Sequence, residues 1–237
     1  MKIISWNCRG VFREKFKDII KEDADIYVIQ ECEDPLQAKS EEYKDFAGDN
    51  YFWTGEIKDK GLGIFAKNDI VFEKIPDVND EDFQNFIALK VNDSFKLLGV
   101  WAMPPYVDMI HDFFDENYSL FDENLVMCGD FNSNVIWDKQ HRKKDKEGNA
   151  KDQTNINRKL ESCNLISVYH NINNEEQGEE SQNTFYLYQH LDKPYHIDYV
   201  YAGEGVVNNF EILDAEEWIK LSDHIPLVFE LDLNFLL

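Results

Sequence analysis

Leu125-Val126-Met127-Cys128-Gly129-Asp130-Phe131-Asn132 is the stretch whose reading decides the fold. Four apolar residues running into Gly and a short polar cluster describe a buried strand that empties into a loop. The loop carries an acid and an amide two residues apart, where open α/β layers place their working side chains. Alone, residues 129–132 are an ordinary turn, because Asp and Asn both favour turns. Their meaning depends on what the other strands end in.

Working outward, residues 2–8 read as a strand, and Phe12, Phe16, Ile19 and Ile20 then recur with helical spacing. Residues 25–29 form the next strand and run into Gln30-Glu31, so the first two strands end in Asn7 and Glu31. A strand, a helix and a strand predict layered α/β architecture. Residues 61–66, 86–91 and 95–102 mix aliphatic and aromatic side chains, as expected of an antiparallel sheet buried on one side. Residues 108–123 read as one surface helix packed on a sheet, carrying Met109, Ile110, Phe113, Phe114, Tyr118 and Phe121. A second helix spans residues 153–164, with Ile156, Leu160 and Cys163 on one face. Further strands are expected at residues 165–169, 184–188, 196–202, 210–213 and 225–231, with a mobile charged loop at 171–183. No internal repeat occurs, and the strand-rich halves on either side of residue 120 suggest two facing sheets.

The 237 residues fit a single domain spanning 1–237, and 43% hydrophobic content is ample for one core. No apolar run reaches the length of a membrane span, and Met1-Lys2-Ile3-Ile4-Ser5-Trp6 enters a strand without a targeting pattern. The expectation is a cytoplasmic monomer. Cys8, Cys32, Cys128 and Cys163 are dispersed without C-x-x-C spacing, which excludes a zinc or disulfide framework and suits small buried hydrophobes. The formal net charge is −23, with 24 basic against 47 acidic residues. That balance excludes a wide phosphate-neutralising surface, so any polyanion must be gripped locally.

Five apolar runs lead into residues able to meet a metal or a phosphate. They are Asn7, Glu31, Asp130 with Asn132, His196 with Asp198, and Asp223-His224. Each has a plain structural alternative as a turn or a satisfied side chain. Their order is informative. The series Trp6-Asn7, Gln30-Glu31, Gly129-Asp130-Phe131-Asn132, Ile197-Asp198-Tyr199 and Ser222-Asp223-His224-Ile225-Pro226 resembles the endonuclease/exonuclease/phosphatase superfamily over residues 5–226. That superfamily includes exonuclease III-like apurinic endonucleases, DNase I-like nucleases, inositol polyphosphate 5-phosphatases, neutral sphingomyelinases and deadenylases.

The resemblance implies a four-layer α/β sandwich, two mainly antiparallel sheets face to face with helices outside. It also implies a Mg²⁺-dependent phosphodiesterase, with Mn²⁺ as a substitute, because phosphate-ester hydrolysis needs charge neutralisation and a positioned water. Glu31 becomes the main metal ligand, assisted by Asn7, with Asp223 completing the metal site or the network around it. Asp130 would deprotonate the attacking water, Asn132 would hold the water or phosphate, and His224 would donate to a phosphoryl oxygen. Asp198 would hold the His224 imidazole and raise its pKa.

The chain departs from the pattern in three places. Arg9 stands where apurinic endonucleases of the exonuclease III type carry an acid; it cannot ligate metal but can contact phosphate. Residues 100–104, including Trp101, lack the His or Tyr that many members place against the phosphate, leaving Tyr106, His196 or His190 as helpers, although a structural role suits His190 better. The basic run at residues 139–146 follows the Asp130 loop, and Arg142, Lys143 and Lys144 are expected substrate contacts, with a solvated loop as the alternative. Trp101, Tyr106, Trp137, Tyr186 and Tyr188 could stack on a base.

The leading expectation is a nuclease acting on DNA, as an endonuclease or exonuclease. Hydrolysis of a small or non-nucleic phosphoester is the alternative that the acidity favours. A non-catalytic binding descendant is disfavoured by the intact Glu31, Asp130, Asn132, Asp198 and His224 set.

Overall fold

The computed structural model describes residues 1–67, 69–79, 82–141 and 143–235. Strand β1 (Lys2–Asn7) leads through helix α1 (Phe12–Ile19) to β2 (Ile26–Cys32), and α2 (Glu41–Ala47) precedes a hairpin of β3 (Tyr51–Ile57) and β4 (Lys60–Ala66). β5 (Phe72–Lys74), β6 (Phe86–Val91), β7 (Phe95–Trp101), α3 (Val107–Glu116) and β8 (Leu125–Asp130) follow. Next come α4 (Gln153–Glu161), β9 (Ile166–Ser167), α5 (Val168–Asn173) and a small hairpin of β10 (Phe185–Tyr186) and β11 (Pro194–Tyr195). β12 (Asp198–Ala202), β13 (Val207–Ile212), α6 (Ala215–Trp218) and β14 (Leu227–Leu231) complete the order.

Two six-stranded sheets result, ordered β13-β14-β1-β2-β4-β3 and β5-β6-β7-β8-β12-β9. Within them β1–β2 and β7–β8 pair in parallel, and the remaining neighbours are antiparallel. Alternation along each strand sorts side chains between layers. Ile3, Val28, Ile64, Leu97, Val126, Cys128, Val200 and Phe229 fill the space between the sheets. The intervening Leu98, Leu125, Met127 and Tyr199 pack outward beneath α3 and α4, against Phe113, Ile156 and Leu160. Ile4, Trp6, Tyr27 and Ile29 do the same beneath α1 and α2, against Phe12, Phe16 and Tyr43. The fold is therefore the four-layer sandwich. None of the described helices is long and apolar enough to cross a membrane.

Several expectations need correction. The sheets do not divide at residue 120: β14 returns to flank β1 with β13 outside it, while β5, β6 and β7 join β8. β4 and β7 are buried on both faces, because each sheet is covered by helices as well as by its partner sheet. α3 stops at Glu116, where the Asn117 amide donates to the Phe113 carbonyl and a single 3-10 turn follows. Residues 165–169 supply only the two-residue β9; Val168, Tyr169 and His170 then turn into α5 with their side chains buried. The loop at 171–183 is pinned: Glu175 accepts from Tyr169 and Ser181, and Glu180 from Gly178 and Asn134. The short helix α2 and the half-buried strand β3 carry weak periodicity and escape the sequence reading.

Gly129 is required where it stands. Its φ is +146°, and a Cβ there would lie 1.9 Å from the Val100 carbonyl oxygen on the neighbouring strand. Gly129→Ala is expected to destabilise the protein by at least about 3 kcal/mol, read as a lower urea midpoint, because the Val100 backbone it would meet cannot yield.

Candidate active site

The strand ends of both sheets meet at one edge of the sandwich. The first sheet contributes Asn7 at the end of β1 and Glu31 near the end of β2. In the second, Asp130 at the end of β8 pairs in register with Asp198 at the start of β12. His224 precedes β14, and its backbone bridges to Phe185 of β10.

Local backbone distortion aims these side chains. The β2–β4 register slips between Gln30 and Cys32, so Glu31 is the extra residue of a bulge, with φ 63°. Asn132 also adopts a left-handed conformation, φ 49°, which Asn tolerates. Its backbone N–H donates to Asp130 Oδ1 at 2.9 Å, so residues 130–132 form an Asx turn as well as a site.

Asp130 is fully buried. Its Oδ2 accepts from Asn7 Nδ2 at 2.8 Å and from Asn132 Nδ2 at 2.9 Å, and it lies 3.9 Å from His224 Nε2. Burial pushes the Asp130 carboxyl up to about 7, reinforced by Asp198 and opposed by His224 and the Asn7 amide. His224 Nδ1 donates to both Asp198 oxygens, each at 3.0 Å. Burial works against the imidazolium, but the Asp198 and Asp130 carboxylates outweigh it and lift His224 to about 9. Thr184 and Ser222 brace the pair. Thr184 Oγ1 accepts from the backbone of Ile197 and Asp198, while Ser222 Oγ donates to the Asn7 carbonyl and accepts from the His224 N–H.

Asp130, Asp198 and His224 are the only described residues that bring three metal-capable side chains together, with ligand atoms within 4.8 Å of one another. A charged imidazole has no lone pair for a metal, and Asp130 Oδ2 already accepts from two amides, so this trio suits proton and charge handling better. The donors that fit a hard divalent ion are oxygens on the other side of Asn7. Glu31 Oε1 is 3.3 Å from Asn7 Nδ2 and Glu31 Oε2 is 2.8 Å from Lys60 Nζ. Asp223 Oδ2 is 3.3 Å from Arg9 Nε. Asn7 thus touches both Glu31 and Asp130 with one amide nitrogen.

The remaining expected residues are placed unevenly. Arg9 is drawn to the site's edge by Asp223 and Gln189. Trp101 is buried, in register with Asp130 across β7–β8. Tyr106 is exposed at the start of α3, and no hydrogen bond or ring contact among the described residues joins it to Asp130. His196 as a substrate contact is corrected. It is buried, its Nδ1 donates to the Gln182 carbonyl at 2.9 Å, and its ring packs on Tyr169 at 4.6 Å. The substrate role of Lys143 is weakened by an ion pair with Asp108 at 2.9 Å; Lys144 forms a backbone bridge with Ala150, and Arg142 lies outside the described residues. Sequence reasoning missed Thr184, Lys60 and Gln189. Ser222 was visible inside its motif, and the others carried no local signal.

These features define a four-layer α/β sandwich with an acid, amide and histidine centre at its strand ends. The chain belongs to the Endonuclease/Exonuclease/phosphatase family, whose sequence profile matches residues 4–224. No curated protein matches it in sequence. Among solved structures, it is similar to a 3′ phosphatase, NExo, from Neisseria bound to product DNA hairpin, at TM-score 0.70 and 18% identity, covering 98% of this chain and 99% of that one. An AP endonuclease from Archaeoglobus fulgidus aligns at TM-score 0.70 and 19% identity, over 98% and 99% of the two chains. The endonuclease domain of TRAS1, a telomere-specific non-LTR retrotransposon, aligns at TM-score 0.64 and 16% identity, over 98% of each.

The raised values have a definite sign. The stability that His224 contributes is fully present below its ordinary value of 6.5 and is lost as pH rises through about 9. Asp130 acts in the same direction, its contribution being lost as pH rises from 3.8 through about 7. In metal-free Asp198→Asn, the His224 ring resonances are expected to titrate well below 9, since burial then has one carboxylate fewer against it. An unchanged NMR titration would refute the pairing as the cause.

Proposed function

We propose that the chain is a divalent-metal-dependent phosphoesterase that hydrolyses phosphodiester bonds in nucleic acid, with DNA as substrate and Mg²⁺ as the working ion. The observation that carries this reading is the Asn7 amide, which sets a metal-capable carboxylate beside a carboxylate and imidazolium pair. Asp130, near neutrality, accepts a proton from the attacking water as the new P–O bond forms and the bond to the leaving oxygen breaks. His224 donates Nε2–H toward a phosphoryl oxygen, and Asp198 holds the ring in that orientation and charge state. Asn132 commits its amide hydrogens to Asp130 and the Ala102 carbonyl, which leaves Oδ1 for the water. Glu31, with Asn7 and Asp223 assisting, would hold the ion, which would supply charge neutralisation at the phosphoryl oxygens.

DNA as substrate is supported by the similar proteins, one bound to a product DNA hairpin and one an AP endonuclease. Monoester or small-phosphoester hydrolysis is the second reading, favoured by the net charge of −23 and by the pairing of Lys143 with Asp108. The reading places the enzyme in the cytoplasm as a monomer, in keeping with four buried free cysteines.

The test is a hydrolysis panel of abasic-site duplex, single- and double-stranded DNA, RNA, bis-p-nitrophenyl phosphate and inositol phosphates, with and without chelator. Chelation is expected to abolish turnover. Asp130→Asn and His224→Ala are each expected to lower it by about 100-fold or more. Near-normal turnover in either variant sinks the assignment.

A further inference from the structure

Lys60 opens β4 at the tip of the β3–β4 hairpin, and its ammonium has two neighbours. Nζ lies 2.8 Å from Glu31 Oε2 and 5.5 Å from the centre of the Trp101 ring. With an ammonium on one oxygen and the Asn7 amide beside the other, Glu31 is already neutralised before any metal arrives. The Glu31 side chain retains only 17% of its exposure, so an incoming ion must meet that neutralised carboxylate rather than a solvated one. A divalent ion and an ammonium at the same oxygen repel each other, and the doubly charged ion wins more from it at equal distance.

The two site cations differ in freedom. Arg9 is tied to Asp223 and to Gln189, and Gln189 is tied in turn to the Ile219 carbonyl, so the guanidinium is fixed at several points. Lys60 has one ion pair on a flexible stem, its side chain is 44% exposed, and it has a second seat. That seat is the Trp101 face, which attracts a cation through the ring quadrupole. Lys60 and Trp101, with Asn85 and Met103, line a cavity of about 300 Å³. Trp101 pairs in register with Asp130, so the cavity lies one strand from the carboxylate assigned to the attacking water.

We propose that Lys60 is the resident counter-ion of Glu31. Metal binding displaces its ammonium, and the freed group, held against Trp101, binds a non-bridging phosphate oxygen of the substrate strand beside the reacting one. The proposal rests on the phosphoesterase reading and adds a residue that exchanges one anion for another when the ion binds. Lys60 then opposes metal binding and favours substrate binding, two effects of opposite sign that a merely structural lysine does not produce.

The experiment uses two binding measurements that need no turnover. Mn²⁺ titration of the substrate-free protein, followed by electron paramagnetic resonance, is expected to show about two- to fivefold tighter binding in Lys60→Met, the range of a half-exposed ion pair. Glu31→Gln should weaken it, and Lys60→Arg should stay near wild type. Anisotropy of a fluorescent single-stranded oligonucleotide at saturating Ca²⁺ is expected to show about fivefold weaker binding in Lys60→Met. Unchanged or weaker Mn²⁺ binding in Lys60→Met overturns the exchange, as does unchanged oligonucleotide affinity. Failure of wild type and Lys60→Met alike to bind Mn²⁺ overturns the metal-dependent reading together with this proposal. Both binding effects without hydrolysis of any substrate uphold the exchange and fail the hydrolase reading alone.

Discussion

A carboxylate wholly withdrawn from water must be answered by donors, and Asp130 is the group on which the remaining geometry depends. Desolvation alone would hold it neutral. Asn7, Asn132 and the charged ring of His224 answer it, and each comes from a different part of the chain. Meeting that demand fixes the relation between the sheets: Asn7 ends a strand of the first, Asp130 and Asp198 are cross-strand partners in the second, and His224 leads back into the first. The hydrophobic layer between the sheets supplies the stability, but the polar seam at its edge selects their alignment.

The charge of the molecule is organised on the same principle. A chain carrying −23 has few cations to spare, and Arg9 and Lys60 sit on Asp223 and Glu31, beside the Asp130 centre. Lys15, nearby, gives its ammonium to the Cys8 carbonyl at 2.7 Å. Other lysines, among them Lys44, Lys67, Lys96 and Lys159, pair with acids away from these strand ends. The basic stretch after the Asp130 loop, conspicuous in the sequence, instead spends Lys143 on Asp108.

Much of this was legible in the sequence for identifiable reasons. Strands such as Leu125–Asp130 announce themselves because both faces are buried and the apolar run is continuous. The Asp130, Asn132, Asp198 and His224 grouping was recoverable because each residue closes a short motif in a fixed order. Sheet assignment was not, since periodicity reports which face of a strand is buried and never which strand lies beside it. His196 misled because a motif places its backbone beside Asp198, whereas the packing of Tyr169 and His170 buries its ring. Thr184 and Lys60 act across long sequence separations, as hydroxyl acceptor and as ammonium, and nothing in their own surroundings marks them.

The return of β14 to lie against β1 has a temporal side. Asn7 and Glu31 leave the ribosome early, whereas His224 and the strand that seats it are made after more than two hundred residues have emerged. No shorter nascent chain holds the imidazole, and pairing Lys2 with Glu230 closes a loop nearly as long as the molecule. The centre therefore exists only when residues more than two hundred apart in the sequence have paired, so opening either end of that strand pair dismantles it.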